Sequence, residues 1–203
     1  MSKTISVIGV GSALACALLW TGCSDFGSMK ATKATQEHKP AAPFDLNNAV
    51  GQPTPGFSLK DSNGQTVHLA DYKGKVVLLD FWATWCAPCR ASLPRLAKLQ
   101  QEAAPKGLVM LSVDEDEEAK TANDFLAKNH YTWPNTQDDG KIGDAFNKGG
   151  IPLIVLIDAQ GKIVLYQNGD YGNDDALRKV LAGLGPQFAG LETAQQPCQT
   201  ASR

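Results

Sequence analysis

The sequence predicts an α/β fold in which a mixed central sheet carries helices on both of its faces. Two apolar runs, at 76–81 and 108–113, have the length and composition of buried strands. Helical patterns follow them at 86–103 and 117–129. A strand, a helix and a strand in that order, followed by a hairpin and a last helix, predict this arrangement.

Turn residues divide the remaining segments into hairpins and short helices. The segments from Asp61 to Gly64 and from Asp158 to Gly161 each separate two short apolar runs, which is typical of a β-hairpin turn. An Asp begins the last helical pattern and a Gly follows it, as expected at helix ends. The predicted strands here are 57–59, 66–69, 153–157 and 162–166, and the predicted helices are 142–146 and 174–184.

The composition is that of an ordinary globular protein with one folded domain. The chain has 203 residues, 43% of them apolar, and a net charge of -2. A domain of about 140 residues can bury a sizeable core without disulfide bonds. Because the chain has no basic block and no interleaving of basic and aromatic residues, we expect no nucleic acid as a partner.

The first 22 residues are predicted to be a signal peptide rather than part of the fold. Lys3 precedes an apolar stretch at 5–20, which is shorter than the roughly 20 residues that span a membrane. The end of this segment resembles a bacterial lipoprotein signal, although Trp20 stands where an aliphatic residue is usual. The resemblance implies that Cys23 is acylated and anchors the mature chain. A soluble periplasmic product of ordinary signal peptidase and an uncleaved anchor are the alternatives.

The domain is predicted at 49–187, between a flexible tether at 23–48 and a tail at 188–203. Both flanking segments lack a sustained apolar period. Export implies a compartment in which disulfides persist. Cys16 belongs to the signal peptide, and we expect Cys198 to be an incidental free thiol, with intermolecular pairing as the alternative.

Cys86 and Cys89 stand where the predicted strand at 76–81 gives way to a helix. A thiolate is the reactive form of cysteine, and the free N–H groups and dipole of a helix N-terminus favour it. Cysteines three residues apart in a first helical turn meet the Cα spacing of a disulfide, and Pro88 is tolerated there. We therefore expect Cys86 to be the attacking thiol and Cys89 the resolving thiol of a redox-active pair.

A structural disulfide and half of a metal site are the other interpretations of this pair. A bond across a two-residue gap constrains little of the unfolded chain. No second cysteine pair supplies two more ligands for tetrahedral zinc, and His38, His68 and His130 are scattered along the chain. We expect neither a metal nor a cofactor at the site.

The segment from Val77 to Cys89, with the sequence VLLDFWATWCAPC, resembles the active-site strand and turn of the thioredoxin family. The segments 55–59 and 73–77 resemble the N-terminal extension of TlpA-like and ResA-like members, which are membrane-tethered, extracytoplasmic reductases. Gly150-Ile151-Pro152 matches the cis-proline segment of the family. The resemblance covers about residues 51–185 and implies a thioredoxin fold with an N-terminal β-hairpin extension.

The same resemblance suggests how a substrate is contacted. It implies a cis bond between Ile151 and Pro152, whereas most X–Pro bonds are trans. We expect these two residues, together with Trp85, Ala87 and Pro88, to form the surface that binds the substrate. The alternative for Pro152 is a trans proline that opens a strand.

Asp80 is the candidate acid of the site, because it is a carboxylate within an apolar strand. Burial raises the pKa of such a group and suits it to exchange a proton with Cys89. A solvated strand end is the alternative. Many members of the group carry a Glu three residues after the second cysteine, where this chain has Ser92. The acidic run at 114–118 is predicted to be a solvated loop and first helical turn.

These observations predict a thiol-disulfide oxidoreductase on the periplasmic side of the bacterial cell envelope. We expect it to reduce disulfides in exported proteins, and the resemblance suggests apocytochrome c during cytochrome c maturation. A membrane dithiol donor would supply the electrons. The alternatives are a copper metallochaperone, a redox-sensing binding module and a peroxiredoxin-like peroxidase, although the Pro-x-x-x-Thr-x-x-Cys context usual in the last class is absent.

Overall fold

The computed structural model describes Asp45 and residues 48–146, 150–169 and 174–193. The strands are β1 (Ser58–Asp61), β2 (Thr66–His68), β3 (Val76–Trp82), β4 (Leu108–Asp114), β5 (Asn135–Gln137), β6 (Leu153–Ile157) and β7 (Ile163–Asn168). The α-helices are α1 (Ala87–Ala103), α2 (Ala119–Lys128), α3 (Lys141–Phe146) and α4 (Asp175–Gly183). Short 3-10 helices lie at Leu69–Tyr72, Ala104–Lys106, Pro186–Phe188 and Leu191–Thr193. The predicted strands and helices are all present, with ends within two residues of those expected from the sequence.

The described strands form one mixed sheet in the order β2-β1-β5-β4-β3-β6-β7. Every residue of β3 is buried, as its continuous apolar run predicts. This strand pairs in parallel with β4 and antiparallel with β6. The segment that contains Cys86 and Cys89 therefore follows directly from a strand that is buried along its whole length.

The two faces of the sheet carry separate apolar cores, because successive side chains of a strand point to opposite faces. Leu78 and Trp82 of β3 belong to the core that α1, α2 and α4 cover. Val77 and Phe81 belong to the other core, which α3 and the β1–β2 hairpin cover. The prediction of helices on both faces is confirmed.

The sequence pattern does not predict β5, whose three residues are all polar. Asn135 and Thr136 are nevertheless buried. The strand pairs in parallel with β4 and antiparallel with β1, so it joins the β1–β2 hairpin to the central sheet. Its position in the sheet, rather than any apolar period, makes it a strand.

The folded domain extends past the boundary predicted at residue 187. Phe188 and Leu191, which the sequence assigns to the tail, are 1% and 2% exposed and pack in the core beside α4. The Leu191 carbonyl accepts a hydrogen bond of 3.2 Å from buried Arg178. Residues 188–193 are therefore part of the domain, and the predicted boundary is wrong.

Several predictions concern segments outside the described residues. These are the signal peptide, the lipidation site Cys23 and most of the tether, together with Cys16, His38 and Cys198. In the described part of the chain, no helix has the length and hydropathy needed to cross a membrane.

Candidate active site

Cys86 and Cys89 form a disulfide, with their Cα atoms 5.3 Å apart. Cys86 is the N-cap of α1, and its sulfur accepts a hydrogen bond of 3.2 Å from the backbone N–H of Cys89. Cys86 is 5% exposed and Cys89 is 1% exposed. The more exposed cysteine is thus also the one at the positive end of the helix dipole, where a thiolate is favoured.

The residues around the disulfide explain why the helix begins there. The backbone N–H of Cys86 donates to the Ala83 carbonyl over 3.1 Å, which closes a turn between β3 and α1. The Cys86 carbonyl then accepts from the N–H of Arg90 over 3.1 Å. Pro88 lies in the first helical turn, where its missing N–H costs no intrahelical bond. The motif therefore specifies where the helix begins and places Cys86 at its N-cap.

The predicted substrate-binding residues are apolar, and three of the five are exposed next to the disulfide in the sequence. Trp85 is 66% exposed, and Ala87 and Pro88 are also exposed. The bond between Ile151 and Pro152 is cis, as the resemblance implies. Ile151 is partly buried and packs against the core that contains both cysteines, whereas Pro152 is buried.

Asp80 lies at the centre of the sheet on the face that packs against α1. Its neighbours across the strands are Ser112 of β4 and Ile154 of β6. The side chain is 1% exposed, so the alternative of a solvated strand end is wrong. Burial raises the pKa of Asp80 to about 7, while a hydrogen bond from Ser112 opposes part of that rise.

The hydrogen bonds of Asp80 are few for a buried carboxyl. Its Oδ2 accepts from the Ser112 hydroxyl at 3.5 Å, and its Oδ1 has no hydrogen-bond partner among the described residues. The Trp133 indole N–H donates to the same Ser112 oxygen over 2.7 Å. This contact occupies an acceptor site of the hydroxyl and leaves its proton available to Asp80.

Ser92, which replaces the glutamate common in the group, has a different local role. It is 2% exposed, and its hydroxyl donates to the Cys89 carbonyl over 2.7 Å. A serine hydroxyl does not titrate in the neutral range. Asp80 is therefore the acid that the sequence places on the α1 face of β3.

The prediction of a solvated loop at 114–118 is wrong for its first part. Asp114 is fully buried and Asp116 is 6% exposed. Burial raises the pKa of Asp114 to about 7. The hydrogen bond from the Asp116 backbone N–H opposes part of that rise, whereas the Asp116 side chain adds to it. The alternation along β4 is a signal for this result, because Leu108 and Met110 on the same face are core residues.

Among the described residues, neither His68 nor His130 forms a hydrogen bond with Cys86 or Cys89. His68 ends β2, and its Nδ1 lies 2.6 Å from the Ser58 hydroxyl. His130 has a positive φ of 59° after α2. The described residues contain no group of three or more His, Cys, Asp or Glu side chains that could hold a metal ion.

A family model described as Redoxin matches residues 49–181, which include both cysteines and Pro152. The chain belongs to the redoxin family. The match includes strands that contribute to both apolar cores and both motifs that carry the predicted site. It agrees with the oxidoreductase class that the Cys86–Cys89 pair indicates.

Individual relatives indicate which members of the thioredoxin family this chain is similar to. Thiol-disulfide oxidoreductase ResA of Bacillus cereus is 34% identical over 116 residues, which cover 57% of this chain and 67% of that protein. Thioredoxin-like protein YneN of Bacillus subtilis is 39% identical over 116 residues, covering 56% and 68%. These relatives support the predicted TlpA/ResA-like membership of the thioredoxin family.

Solved structures support the fold. A crystal structure assigned as a thiol:disulfide interchange protein DsbE from Chlorobium tepidum has a TM-score of 0.62 and 35% identity, and the match covers 67% of this chain and 98% of that one. The thioredoxin domain of a thiol-disulfide oxidoreductase from Bacteroides vulgatus has a TM-score of 0.57 and 29% identity, covering 65% and 98%. The prediction of a thioredoxin fold is confirmed, and the protein is an oxidoreductase of that fold.

Proposed function

We propose that this protein is an extracytoplasmic oxidoreductase that reduces disulfide bonds in exported proteins through Cys86 and Cys89. The observation that carries the proposal is the position of the pair at the amino end of α1, with the outer sulfur beside exposed Trp85. This places a thiolate-stabilising group and an apolar contact surface at one accessible point.

In the first step, the Cys86 thiolate attacks one sulfur of the substrate disulfide. A new S–S bond joins Cys86 to the substrate, the substrate disulfide breaks, and its second sulfur leaves as a thiolate that takes a proton. The N–H of Cys89 and the helix dipole stabilise the attacking thiolate before the step.

In the second step, Cys89 loses its proton and attacks the sulfur of Cys86. The Cys86–Cys89 bond forms, the mixed disulfide breaks, and the substrate leaves fully reduced with two electrons from the enzyme. Asp80 is the proposed acceptor of the Cys89 proton, because a carboxyl with a pKa of about 7 exchanges protons readily near neutral pH. A membrane dithiol then returns the enzyme to its reduced form.

The proposed substrate surface comprises Trp85, Ala87 and Pro88, together with Ile151 and the buried Pro152. The exposed indole of Trp85 provides apolar area next to the reacting sulfur. We infer that an extended, disulfide-containing segment of the substrate binds there, with its backbone beside Ile151.

The location and the natural substrate rest on the sequence. The lipoprotein-like start and Cys23 support attachment to the periplasmic side of a membrane by a lipid. The resemblance to TlpA-like and ResA-like reductases supports apocytochrome c as the substrate, with reduction of its haem-binding cysteines before haem is attached.

Reduction of insulin with dithiothreitol as electron donor tests the proposed chemistry. We expect Cys86→Ser to abolish turnover and Cys89→Ser to trap a mixed disulfide, because the first loses the attacking thiol and the second loses the resolving one. Cys198→Ser is the matched control and should turn over normally. Stoichiometric copper bound at the pair without insulin reduction would instead favour a metallochaperone.

The reduction potential of the pair tests the direction of electron flow. A value near roughly -270 mV supports a reductase, whereas one near roughly -120 mV would show an oxidant. A disulfide peptide with the Cys-x-x-Cys-His sequence of haem attachment sites tests the substrate. We expect faster reduction of this peptide than of a control with alanine in place of histidine. Equal rates would contradict apocytochrome c specificity.

A further inference from the structure

The side chain of Asp116 holds the turn that leads into the disulfide. One of its oxygens accepts the backbone N–H of Thr84 over 2.9 Å, and the other accepts the Thr84 hydroxyl over 2.7 Å. The two residues are 32 positions apart in the chain. Asp116 is only 6% exposed, so water competes little for these bonds.

Asp116 is itself fixed by residues from two strands. Its backbone N–H donates to the buried Asp114 carboxylate over 2.9 Å, and its carbonyl accepts from the Gln137 side-chain amide over 2.6 Å. The next bond along the loop runs from the N–H of Glu115 to the carbonyl of Trp82 over 2.9 Å. Hydrogen bonds to the ends of β3, β4 and β5 therefore fix the loop that carries the Asp116 carboxylate.

The turn held by Asp116 determines where the Cys86 sulfur lies. Thr84 is inside the turn that the bond from Cys86 N–H to the Ala83 carbonyl closes. A shift of Thr84 would move the N-cap and lengthen the contact of 3.2 Å between the Cys86 sulfur and the N–H of Cys89. That contact stabilises the thiolate form.

We propose that Asp116 is a positioning residue for Cys86 and acts through the Thr84 hydroxyl and N–H. By fixing the turn, it keeps the sulfur at the amino end of α1 and so favours the thiolate of the reduced enzyme. This role depends on the dithiol chemistry of the site. It does not depend on the identity of the substrate or on the location of the protein.

The test measures the pKa of the Cys86 thiol in the reduced full-length protein. The rate of iodoacetamide alkylation is followed against pH. Because one peptide contains both Cys86 and Cys89, tandem mass spectrometry assigns the label to Cys86. Thr84→Val removes the hydroxyl and keeps both the shape and the Asp116 charge. Thr84→Ser is the matched control, because it keeps the hydroxyl.

We expect Thr84→Val to slow alkylation at pH 6 by about two- to fivefold, the range typical of electrostatic stabilisation at a helix end. The pKa of the Cys86 thiol should rise, and Thr84→Ser should match the wild type. In a D116A background, Thr84→Val should have no further effect, because its partner is already gone. A role in fold stability alone would lower the melting temperature and leave the Cys86 pKa unchanged.

An unchanged pKa in Thr84→Val, or an equal defect in Thr84→Ser, would overturn the proposal. If the D116A protein does not fold, the comparison of Thr84→Val with Thr84→Ser still tests the proposal. Failure of the proposed substrate role is distinguishable, because the wild type would then not reduce insulin although Thr84→Val still shifts the Cys86 pKa.

Discussion

Two regions of the molecule bury ionisable side chains and stabilise them in opposite ways. Arg178 of α4 is 1% exposed, and it donates hydrogen bonds of 2.6 Å to both Asp174 and Glu102. Asp80 of β3 and Asp114, the last residue of β4, form no ion pair within the described part of the chain. One region holds charge in a fixed network, and the other holds carboxyls that no cation neutralises.

The difference separates a buried charge that is held by ion pairs from buried carboxyls that can exchange protons. Burial lowers the pKa of Arg178, but its bonds to Glu102 and Asp174 outweigh that effect and raise the pKa overall, so the guanidinium stays charged. Burial raises the pKa of Asp80 and Asp114 to about 7. The unpaired carboxyls therefore change protonation in the range where thiols exchange protons, whereas the paired charges do not.

The largest expected effect is the loss of the paired charge. Arg178→Met leaves Asp174 buried without its partner and releases the Leu191 carbonyl, so we expect a loss of about 3–5 kcal/mol in the free energy of unfolding. Urea unfolding at pH 7 measures this loss. Lys179→Met, at the exposed neighbouring position, is the control and should change stability little. A loss below about 1 kcal/mol would show that the network is not structural.

Asp80→Asn should have the opposite effect on stability. Because the folded pKa is raised from 3.8 to about 7, the native state binds more protons than the unfolded state between these values. The wild type therefore loses stability as pH rises from about 4 to 7, by up to about 4 kcal/mol from this group. We expect the variant to be more stable than the wild type at pH 8 and similar at pH 3. Equal stability at pH 8 would mean that Asp80 is not desolvated.

The same substitution should slow the chemistry while it stabilises the fold. Without a proton acceptor for Cys89, resolution of the mixed disulfide at neutral pH should fall by about 100-fold. Stopped-flow decay of the mixed disulfide measures this step directly. Asp114→Asn is the matched comparison, because it removes the other unpaired carboxyl, and it should affect resolution less. Unchanged turnover in Asp80→Asn would remove the proposed role of Asp80.

The smallest expected effect concerns the hydrogen bond from Ser112, which lowers the pKa of Asp80. Ser112→Ala removes the hydrogen bond that lowers the pKa of Asp80, so that pKa should rise further. The acidic limb of the rate of mixed-disulfide resolution should move to higher pH by the same amount. Trp133→Phe, which keeps the Ser112 hydroxyl but removes its indole donor, separates the two contacts. A shift to lower pH would reverse the assigned direction of the Ser112 bond.

The sequence predicts those features of the fold and the site that depend on neighbouring residues. Local patterns predict the hairpins, the buried strands and the helix that begins after Cys86, since apolar period and turn residues act over short distances. The resemblance adds the cis bond before Pro152, which periodicity does not indicate. Asp80 is predictable because it interrupts an apolar run.

The features that sequence reasoning misses depend on distant partners. Asp114 and Asp116 lie in an acidic run that looks solvated, yet β4 continues through Asp114 and the loop folds back on Thr84. Arg178 is buried because Glu102, 76 positions away, reaches it. No local period indicates contacts of this kind.

The way the chain enters the domain has a practical consequence. Residues Gly51 and Thr54 donate backbone hydrogen bonds to Ile163 and Gly161, at the turn between β6 and β7. Phe81, the last-but-one residue of β3, instead pairs with Leu153 at the other end of β6. A strand of this length spans about 17 Å. A protein that is immobilised on a bead or sensor surface through residues before Gly51 is therefore attached at the end of the sheet away from Cys86. In that orientation, a large protein in solution can reach Cys86.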